Sequence, residues 1–557
     1  MSVSGKPRDV TEIRVGPMLR HVGQTDATVW VETDRACEVQ ILGCAAETFE
    51  VEGHHFAIVC IDGLEPDRQY PYDVHLDGER AWPPPDDPFP QPQIKLIPPG
   101  RSVRLAFGSC RTSAPLRAPY TWRGLWHPKG RGVDALRAFG ARMLNQPSSL
   151  WPDALLMLGD QLYADDVPDD IKEQVSDREV HADGPVEVLE DFEEYCIGYR
   201  DAWTEPMVRW ILSTLPTSTI FDDHEINDRW NISAQWLAEK RQTSWYETRI
   251  TGGLMAYWIF QHLGNLTPAE LAANETFQEI RRTRDGSAAL RQMAKDAESD
   301  EGRSRFSYCR DFGDTRLLVV DSRTGRQLQP GQRQMVTDDE WDWVTSRVDG
   351  DYRHLILASS LPVLMPYGIH DIEGWAEAVA DGAWGQRMCG LGEQVRMKGH
   401  LDHWAVFQRS FRDMETLVID SAQGRRGTPP QSIVLLGGDV HHCWVTEVQL
   451  PDEDTSTSPT AVWQVVCSGL RKDLQLGERL LQVLGHTRVA AAAGRVLARS
   501  AGLSAPRLRW REATALHFRN QIGTLEIAGD EVGVRLEEVS GAVRKQRLTT
   551  VVEHKLR

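Results

Sequence analysis

Residues 153–166 read Asp-Ala-Leu-Leu-Met-Leu-Gly-Asp-Gln-Leu-Tyr-Ala-Asp-Asp, a short apolar run that stops at a glycine and opens into polar side chains. Five other stretches repeat the form. Val103–Gly108 leads into Ser109-Cys110-Arg111, Pro216–Phe221 into Asp222-Asp223-His224-Glu225, and Arg316–Val320 into Asp321-Ser322-Arg323. His354–Ala358 leads into Ser359-Ser360, and Ile433–Leu436 into Gly437-Gly438-Asp439-Val440-His441-His442. Runs this short suit buried strands, although periodicity alone does not separate them from helix fragments. In a sheet covered by helices, ligands sit beyond the carboxyl ends of the strands, so the polar clusters are expected in one crevice.

The chain has 557 residues, which at about 150 per domain gives three or four domain-sized units. With 81 acidic and 62 basic side chains the net charge is −19, which argues against a nucleic-acid binder and its positive footprint. A small phosphorylated substrate stays open, because a bound metal reverses the field locally. No basic segment followed by an apolar run opens the sequence, and no apolar stretch reaches the roughly 18 residues that span a bilayer. Nine cysteines without a Cys-x-x-Cys pair argue against a disulfide framework. The expectation is a cytoplasmic protein.

From Gly16 to Leu76 short runs alternate with period two between turn residues, as in Ala27–Glu32, which predicts a β-sandwich over 1–80. Leu64, Pro66, Tyr70 and Tyr72 resemble a fibronectin type III-like module. Residues 81–100 hold eight prolines and read as an extended connection. The large α/β domain is expected over 101–557, with helical insertions at about 166–305 and a helical segment plus closing strands at 470–557. Residues 470–503 read as an amphipathic helix pair packed on the domain or, alternatively, as a basic lid or lipid-facing patch in peripheral contact with a membrane.

Collected, the clusters offer Cys110, Asp160, Tyr163, Asp223, His224, Asp439, His441 and His442: thiolate, phenolate, carboxylate and imidazole, the inventory of a mixed-metal site. Taken singly, Cys110 reads as a small buried apolar residue and Tyr163 as core. Asp165 and Asp166 read equally well as a helix N-cap. Asp321 and Arg323 are a candidate structural ion pair, while Arg323 also suits a phosphate oxygen. Asp439 and His441 flank Val440 in strand-like spacing, which predicts one shared face.

Phe107-Gly-Ser-Cys110, Gly159-Asp-Gln-Leu-Tyr-Ala-Asp165, Asp222-Asp-His-Glu225, Asp321-Ser-Arg323 and Gly438-Asp-Val-His441, in this order, resemble the PhoD-like alkaline phosphatases, a branch of the calcineurin-like metallophosphoesterases. The wider superfamily opens with Asp-x-His, for which the cysteine string stands here. The resemblance implies a four-layer αββα sandwich behind the N-terminal module, and metal-dependent hydrolysis of phosphoesters. It implies that Asp160 bridges two cations, that Cys110, Tyr163 and His441 complete a site for Fe3+, and that Asp223 and Asp439 face a Ca2+ position; other divalent metals are also compatible. It further implies that His224 sits over the substrate and that Arg323 holds a phosphoryl oxygen. Asp165, Asp321 and His442 are expected in substrate contact or behind the ligands. Leu401–Phe407 resembles a family segment that carries Gly-Tyr where Val406-Phe407 stand, and His370 and His403 are candidates for a remaining histidine ligand or, alternatively, packing residues.

The expected partner is a small phosphoester, not nucleic acid. Competing readings are a phospholipase-like or nucleotide phosphodiesterase, and a non-catalytic binding protein with a structural metal site. Structural sites are closed by protein ligands, whereas catalytic sites keep an exchangeable position.

Overall fold

The computed structural model describes residues 11–98, 100–176, 178, 184, 185, 187–299, 304–451 and 460–557. The expected sandwich residues 1–10 and the insertion residues 177, 179–183, 186 and 300–303 lie outside the described residues.

Among the described residues, ten strands build the N-terminal module: β1 (Ile13–Val22), β2 (Ala27–Thr33), β3 (Glu38–Ile41), β4 (Cys44–Glu47), β5 (Phe49–Val51), β6 (His54–Ile61), β7 (Gln69–Pro71), β8 (Val74–Leu76), β9 (Glu79–Trp82) and β10 (Gln93–Lys95). Two antiparallel sheets, ordered β1-β2-β6-β5 and β4-β3-β8-β9, share a core of Val29, Val31, Val59 and Ile61 against Val39, Ile41, Val74 and Leu76. Because side chains alternate along a strand, Met18, Trp30, Phe56 and Ile58 emerge on the opposite face. There they pack on the helices of the large domain, Trp30 meeting Phe260 at 5.2 Å between ring centres. His54 is a core histidine at this junction, held by Glu32 at 3.0 Å and Glu193 at 2.6 Å.

The proline-rich stretch is more than a connection. Gln93–Lys95 pairs with β7, and Ile94 and Leu96 are buried in the sandwich core, so the sandwich runs past residue 80. Proline tolerates this place because the pair is a two-stranded edge.

The large domain carries β11 (Val103–Gly108), β12 (Ala154–Leu158), β13 (Thr217–Ile220), β14 (Tyr308–Phe312), β15 (Thr315–Val319), β16 (His354–Ala358), β17 (Ser432–Gly437), β18 (Cys443–Gln449), β19 (Ala461–Cys467), β20 (Arg509–Glu512), β21 (Gln521–Ala528), β22 (Glu531–Ser540) and β23 (Arg547–Lys555). They form a six-stranded sheet, β13-β12-β11-β21-β22-β23, and a seven-stranded one, β14-β15-β16-β17-β19-β18-β20. Both are mixed: β11–β13 run parallel, as do β15, β16, β17 and β19, while the closing strands are antiparallel. Alternation again assigns the faces. Leu105, Phe107, Leu156 and Leu158 meet Val319, Ile356, Val434 and Leu436 between the sheets. Leu155 and Met157 face outward onto Leu136, Phe139 and Ile211 of helices Ala135–Leu144 and Pro206–Thr214, and Ile433 and Leu435 onto Leu417 and Val418 of helix Gln408–Ala422. Helix, sheet, sheet, helix is the resulting order.

At the tail, helix Arg488–Ser500 lies on helix Tyr367–Ala380, where Arg495 pairs with Asp371 at 3.0 Å. Helix Leu476–Gly485 leaves Leu476, Leu480, Leu481 and Leu484 exposed. No helix among the described residues is long and apolar enough to cross a membrane.

Candidate metal centre

The carboxyl ends of β11, β12 and β17 turn back sharply. Cys110, Asp160, Asp439 and His441 all occupy the left-handed region, with φ of +58°, +54°, +62° and +57°. Such backbone costs of order 1–3 kcal/mol per non-glycine residue and persists only where the surroundings enforce it. Asp439 and His441 therefore converge through two left-handed turns rather than along a strand, correcting the strand-like reading of their spacing. Close approach at these turns needs glycine: a Cβ on Gly159 would lie 2.6 Å from the Asp222 Cβ, and one on Gly438 would lie 2.6 Å from the Ser109 Cβ.

The first donor group gathers from both sheets. Cys110 Sγ lies 3.4 Å from Asp160 Oδ2, which also accepts the Tyr163 hydroxyl at 3.1 Å. The same hydroxyl stands 3.5 Å from His441 Nε2. Donor atoms of Cys110, Asp160 and His441 all lie within 4.8 Å of one another. Ser468 donates to Cys110 Sγ at 3.2 Å and accepts the His441 backbone N–H at 3.1 Å, bracing two members at once.

A second group adjoins it, in which oxygens of Asp160, Asp222, Asp223 and Asp439 are mutually within 4.8 Å. The local reason is a single capped turn. Asp222 accepts the Asp223 N–H at 3.0 Å, while Glu225 Oε2 accepts the Asp222 N–H at 2.9 Å and its Oε1 the Gln161 N–H at 3.1 Å. Glu225 thereby ties the turn after β13 to the turn after β12. His224 projects from the same turn, its Nδ1 2.8 Å from Asp165 Oδ1 and its ring 4.5 Å from that of Tyr163.

His403 reaches the edge of this group through Asp439 rather than serving as packing. Its Nδ1 lies 2.6 Å from the buried Glu373, its Nε2 4.0 Å from Asp439 Oδ2, and donor atoms of Asp402, His403 and Asp439 fall within 4.8 Å. Asp222, Asp402, Glu373, Ser109 and Ser468 have no assigned role in the sequence reading. Asp222 stands in a quoted motif, and Asp402 and His403 in the segment already matched at 401–407.

Several expectations change. Arg323 is fully buried and directed at carboxylates: it pairs with Asp222 and Asp402 and lies 3.5 Å from Asp223 and 3.9 Å from Asp439. It neutralises the acids from behind instead of opening toward a phosphoryl group. Asp321 accepts the backbone N–H groups of Arg323 and Thr324, so it caps its own turn and forms no side-chain pair with Arg323. Neither Asp165 nor Asp166 is a helix cap; Asp165 holds His224 and the Asp228 N–H, and Asp166 pairs with Arg131 and Lys472, both at 2.8 Å. His442 is buried between Trp444 and Phe518, its Nδ1 on the Val440 carbonyl, which removes it from the ligands. His370 packs on Phe411 and Trp510.

Electrostatics ask for a cation. Burial, and next the Asp222 carboxylate, hold the Asp160 carboxyl well above the carboxylate range and act likewise on Asp439. Burial pushes Asp223 up to about 6 against the opposing pull of Arg323. Burial and Asp160 raise the Cys110 thiol. Burial, then Lys472, keep His441 well below the ordinary imidazole value, leaving a neutral nitrogen donor. For His224 and His403 burial works the other way but is outweighed by Asp165 and by Glu373 respectively, His403 reaching about 9. Carboxylates that draw a proton to these rings draw a dication equally well.

The donors fit a metal pair. Asp160 Oδ1, Asp222 Oδ2 and His403 Nε2 are buried atoms without a hydrogen-bond partner, a costly state that a cation relieves. Solvent reaches the cluster at Asp439 and His224, whose side chains are 19 % and 18 % exposed.

Residues 136–345 match the family model described as PhoD-like phosphatase, and residues 10–94 match a domain of unknown function, DUF7800. A search of curated proteins finds no match. The fold is similar to a solved structure described as that of PhoD, at 12% identity and a TM-score of 0.59, covering 99% of this chain and 94% of that one. It is also similar to the purple acid phosphatase PPD1 from yellow lupin (Lupinus luteus) seeds, at 10% identity and a TM-score of 0.48, covering 96% of this chain and 73% of that one. The matched domain holds Asp160, Tyr163, Asp223 and His224, and the fold brings Cys110, Asp439 and His441 to them from outside it. The chain carries a PhoD-like phosphatase domain over residues 136–345 and is a phosphoesterase.

Proposed function

We propose that this phosphoesterase hydrolyses small phosphomonoesters or phosphodiesters with two cations held in the buried cluster. In this reading Cys110, Asp160, Tyr163 and His441 hold Fe3+, because thiolate and phenolate favour a high-valent transition metal. Asp160, Asp223 and Asp439 hold the second cation, for which the family resemblance implies Ca2+. Bound metal supplies an acidified water and a positive field for in-line attack on phosphorus. The observation that carries the reading is Asp160 Oδ1, buried without a partner on the one residue that both donor groups share.

The chain's own residues then divide the work. Asp165 fixes His224 through Nδ1 and leaves Nε2 to meet the phosphoryl group or to protonate the departing alkoxide. Arg323 offsets the charge of Asp222, Asp223 and Asp402 from behind the cluster, without facing substrate. The left-handed turns hold the donors rigidly before any ion arrives, which lowers the cost of binding it. The fibronectin type III-like module serves as a buttress for the domain over 101–557.

Turnover of p-nitrophenyl phosphate and of its bis-ester, each with and without chelator, tests the proposal. Chelator-sensitive release of nitrophenol supports it, and the ratio of the two rates assigns the ester preference. Chelator-sensitive metal content with no turnover of either ester favours a structural metal instead.

A further inference from the structure

We propose that His403 is a nitrogen ligand of the second cation, so that this position selects a transition-metal dication over calcium. The inference rests on the reading that the cluster holds two cations, and it revises the second.

His403 is built like a ligand. Glu373, itself without exposure, takes up Nδ1 at 2.6 Å and fixes the plane of the ring. Metal-binding histidines are oriented in this way by a carboxylate on the other nitrogen. That leaves Nε2, which is buried and has no hydrogen-bond partner. Its nearest carboxylate oxygen, Asp439 Oδ2, is 4.0 Å away. The gap is too long for a hydrogen bond. It suits two donors of a common ion, which at about 2.1 Å from the metal stand roughly 3–4 Å apart.

Neighbours point the same way. Asp439 belongs both to the Asp402–His403–Asp439 group and to the four-carboxylate group, so one carboxylate links Nε2 to the acids around Asp160. Asp402 is engaged by Arg323 and does not compete for the ring. Calcium takes oxygen donors almost exclusively, whereas imidazole suits zinc, iron and their neighbours. A nitrogen aimed at this position therefore changes which ion it prefers.

The test is calorimetric titration of metal-free wild type, His403→Ala, His403→Gln and Glu373→Gln with Zn2+ and separately with Ca2+. Wild type is expected to show two Zn2+ events. His403→Ala is expected to lose at least about tenfold in one of them, with the other unchanged and the Ca2+ affinity moving less than about twofold. Glu373→Gln keeps the ring but loosens it, and it reads the same event should the alanine variant fail to fold. His403→Gln keeps a hydrogen-bonding amide without the imidazole nitrogen and is expected to fall with alanine. Zn2+ affinities unchanged in all three variants, or full rescue by glutamine, overturn the inference and leave the two-cation reading standing. A wild type with one Zn2+ event and a separate Ca2+ event overturns the inference alone, and one that binds neither ion overturns both.

Discussion

Ser109 Oγ accepts the backbone N–H of Asp439 at 3.0 Å, joining the turn after β11 in one sheet to the turn after β17 in the other. The same oxygen lies 3.2 Å from Cys110 Sγ, so one hydroxyl sets the spacing between a candidate ligand of each cation position. Gly438 makes the contact possible: an added Cβ would fall 2.5 Å from that oxygen and 2.9 Å from the Leu158 carbonyl. Gly438→Ala is expected to destabilise the fold by about 1–3 kcal/mol, as overpacking does. It is also expected to weaken metal retention. Ser109→Ala, which removes the bridge without the clash, is expected to lower retention more than the unfolding midpoint, as denaturant melts beside dialysis against chelator will read out.

A ferric ion beside a thiolate and a phenolate absorbs visible light through ligand-to-metal charge transfer. Cys110 and Tyr163 are both buried on Asp160. Cys110→Ala and Tyr163→Phe are each expected to bleach or shift the visible band of the protein as purified. An absorption spectrum identical to wild type in both variants removes the proposed Fe3+ position.

Asp165 and His224 form a pair 2.8 Å apart at the wet side of the cluster. His224→Ala is expected to lower kcat by about 10²–10⁴-fold, the range of a positioned proton donor. Asp165→Asn is expected to lower kcat less and to leave metal content unchanged. Steady-state kinetics on p-nitrophenyl phosphate separate the two, and an unaltered kcat in His224→Ala removes the assignment.

Much of this centre is legible in the chain because strand ends concentrate it. Apolar runs breaking into Gly159-Asp160, Asp222-Asp223 and Gly438-Asp439 report the parallel strands and the crevice together, since buried strands must be apolar and their ends need not be. The parts that escape depend on contacts distant in sequence. The sequence offers His403 only as one of two candidates with His370; what singles it out is Glu373, on helix Tyr367–Ala380, which turns its ring toward Asp439, and nothing in Leu401–Phe407 announces that partner. Arg323 misleads for a related reason: an arginine after a strand looks the same whether it faces substrate or is enclosed by Asp222 and Asp402. His441 and Asp439 were separable from a strand only by φ, which the spacing does not encode.

The junction between sandwich and large domain is predicted to weaken in alkali. His54 lies between Glu32, fully buried, and Glu193, 45 % exposed, with Arg200 at 3.3 Å from Glu32. Burial opposes its proton, but Glu193 and Glu32 prevail and raise its pKa from the ordinary 6.5 to about 9. The folded chain thus holds this proton more tightly than the unfolded one. The stabilisation is complete below about pH 6.5 and is lost as pH rises through about 9. Thermal melts of wild type and His54→Gln are expected to differ most below about pH 6.5 and to converge above about pH 9. A gap that widens with pH contradicts the linkage.

The most direct measurement is elemental analysis by inductively coupled plasma mass spectrometry on freshly purified wild type and Asp160→Asn. The oxygen in question, Asp160 Oδ1, is buried with no partner, at the meeting of both donor groups. About two equivalents of metal per wild-type chain, including iron, are expected, with loss of both ions in the variant. Wild type without bound metal, or a variant that keeps the full complement, contradicts the two-cation reading.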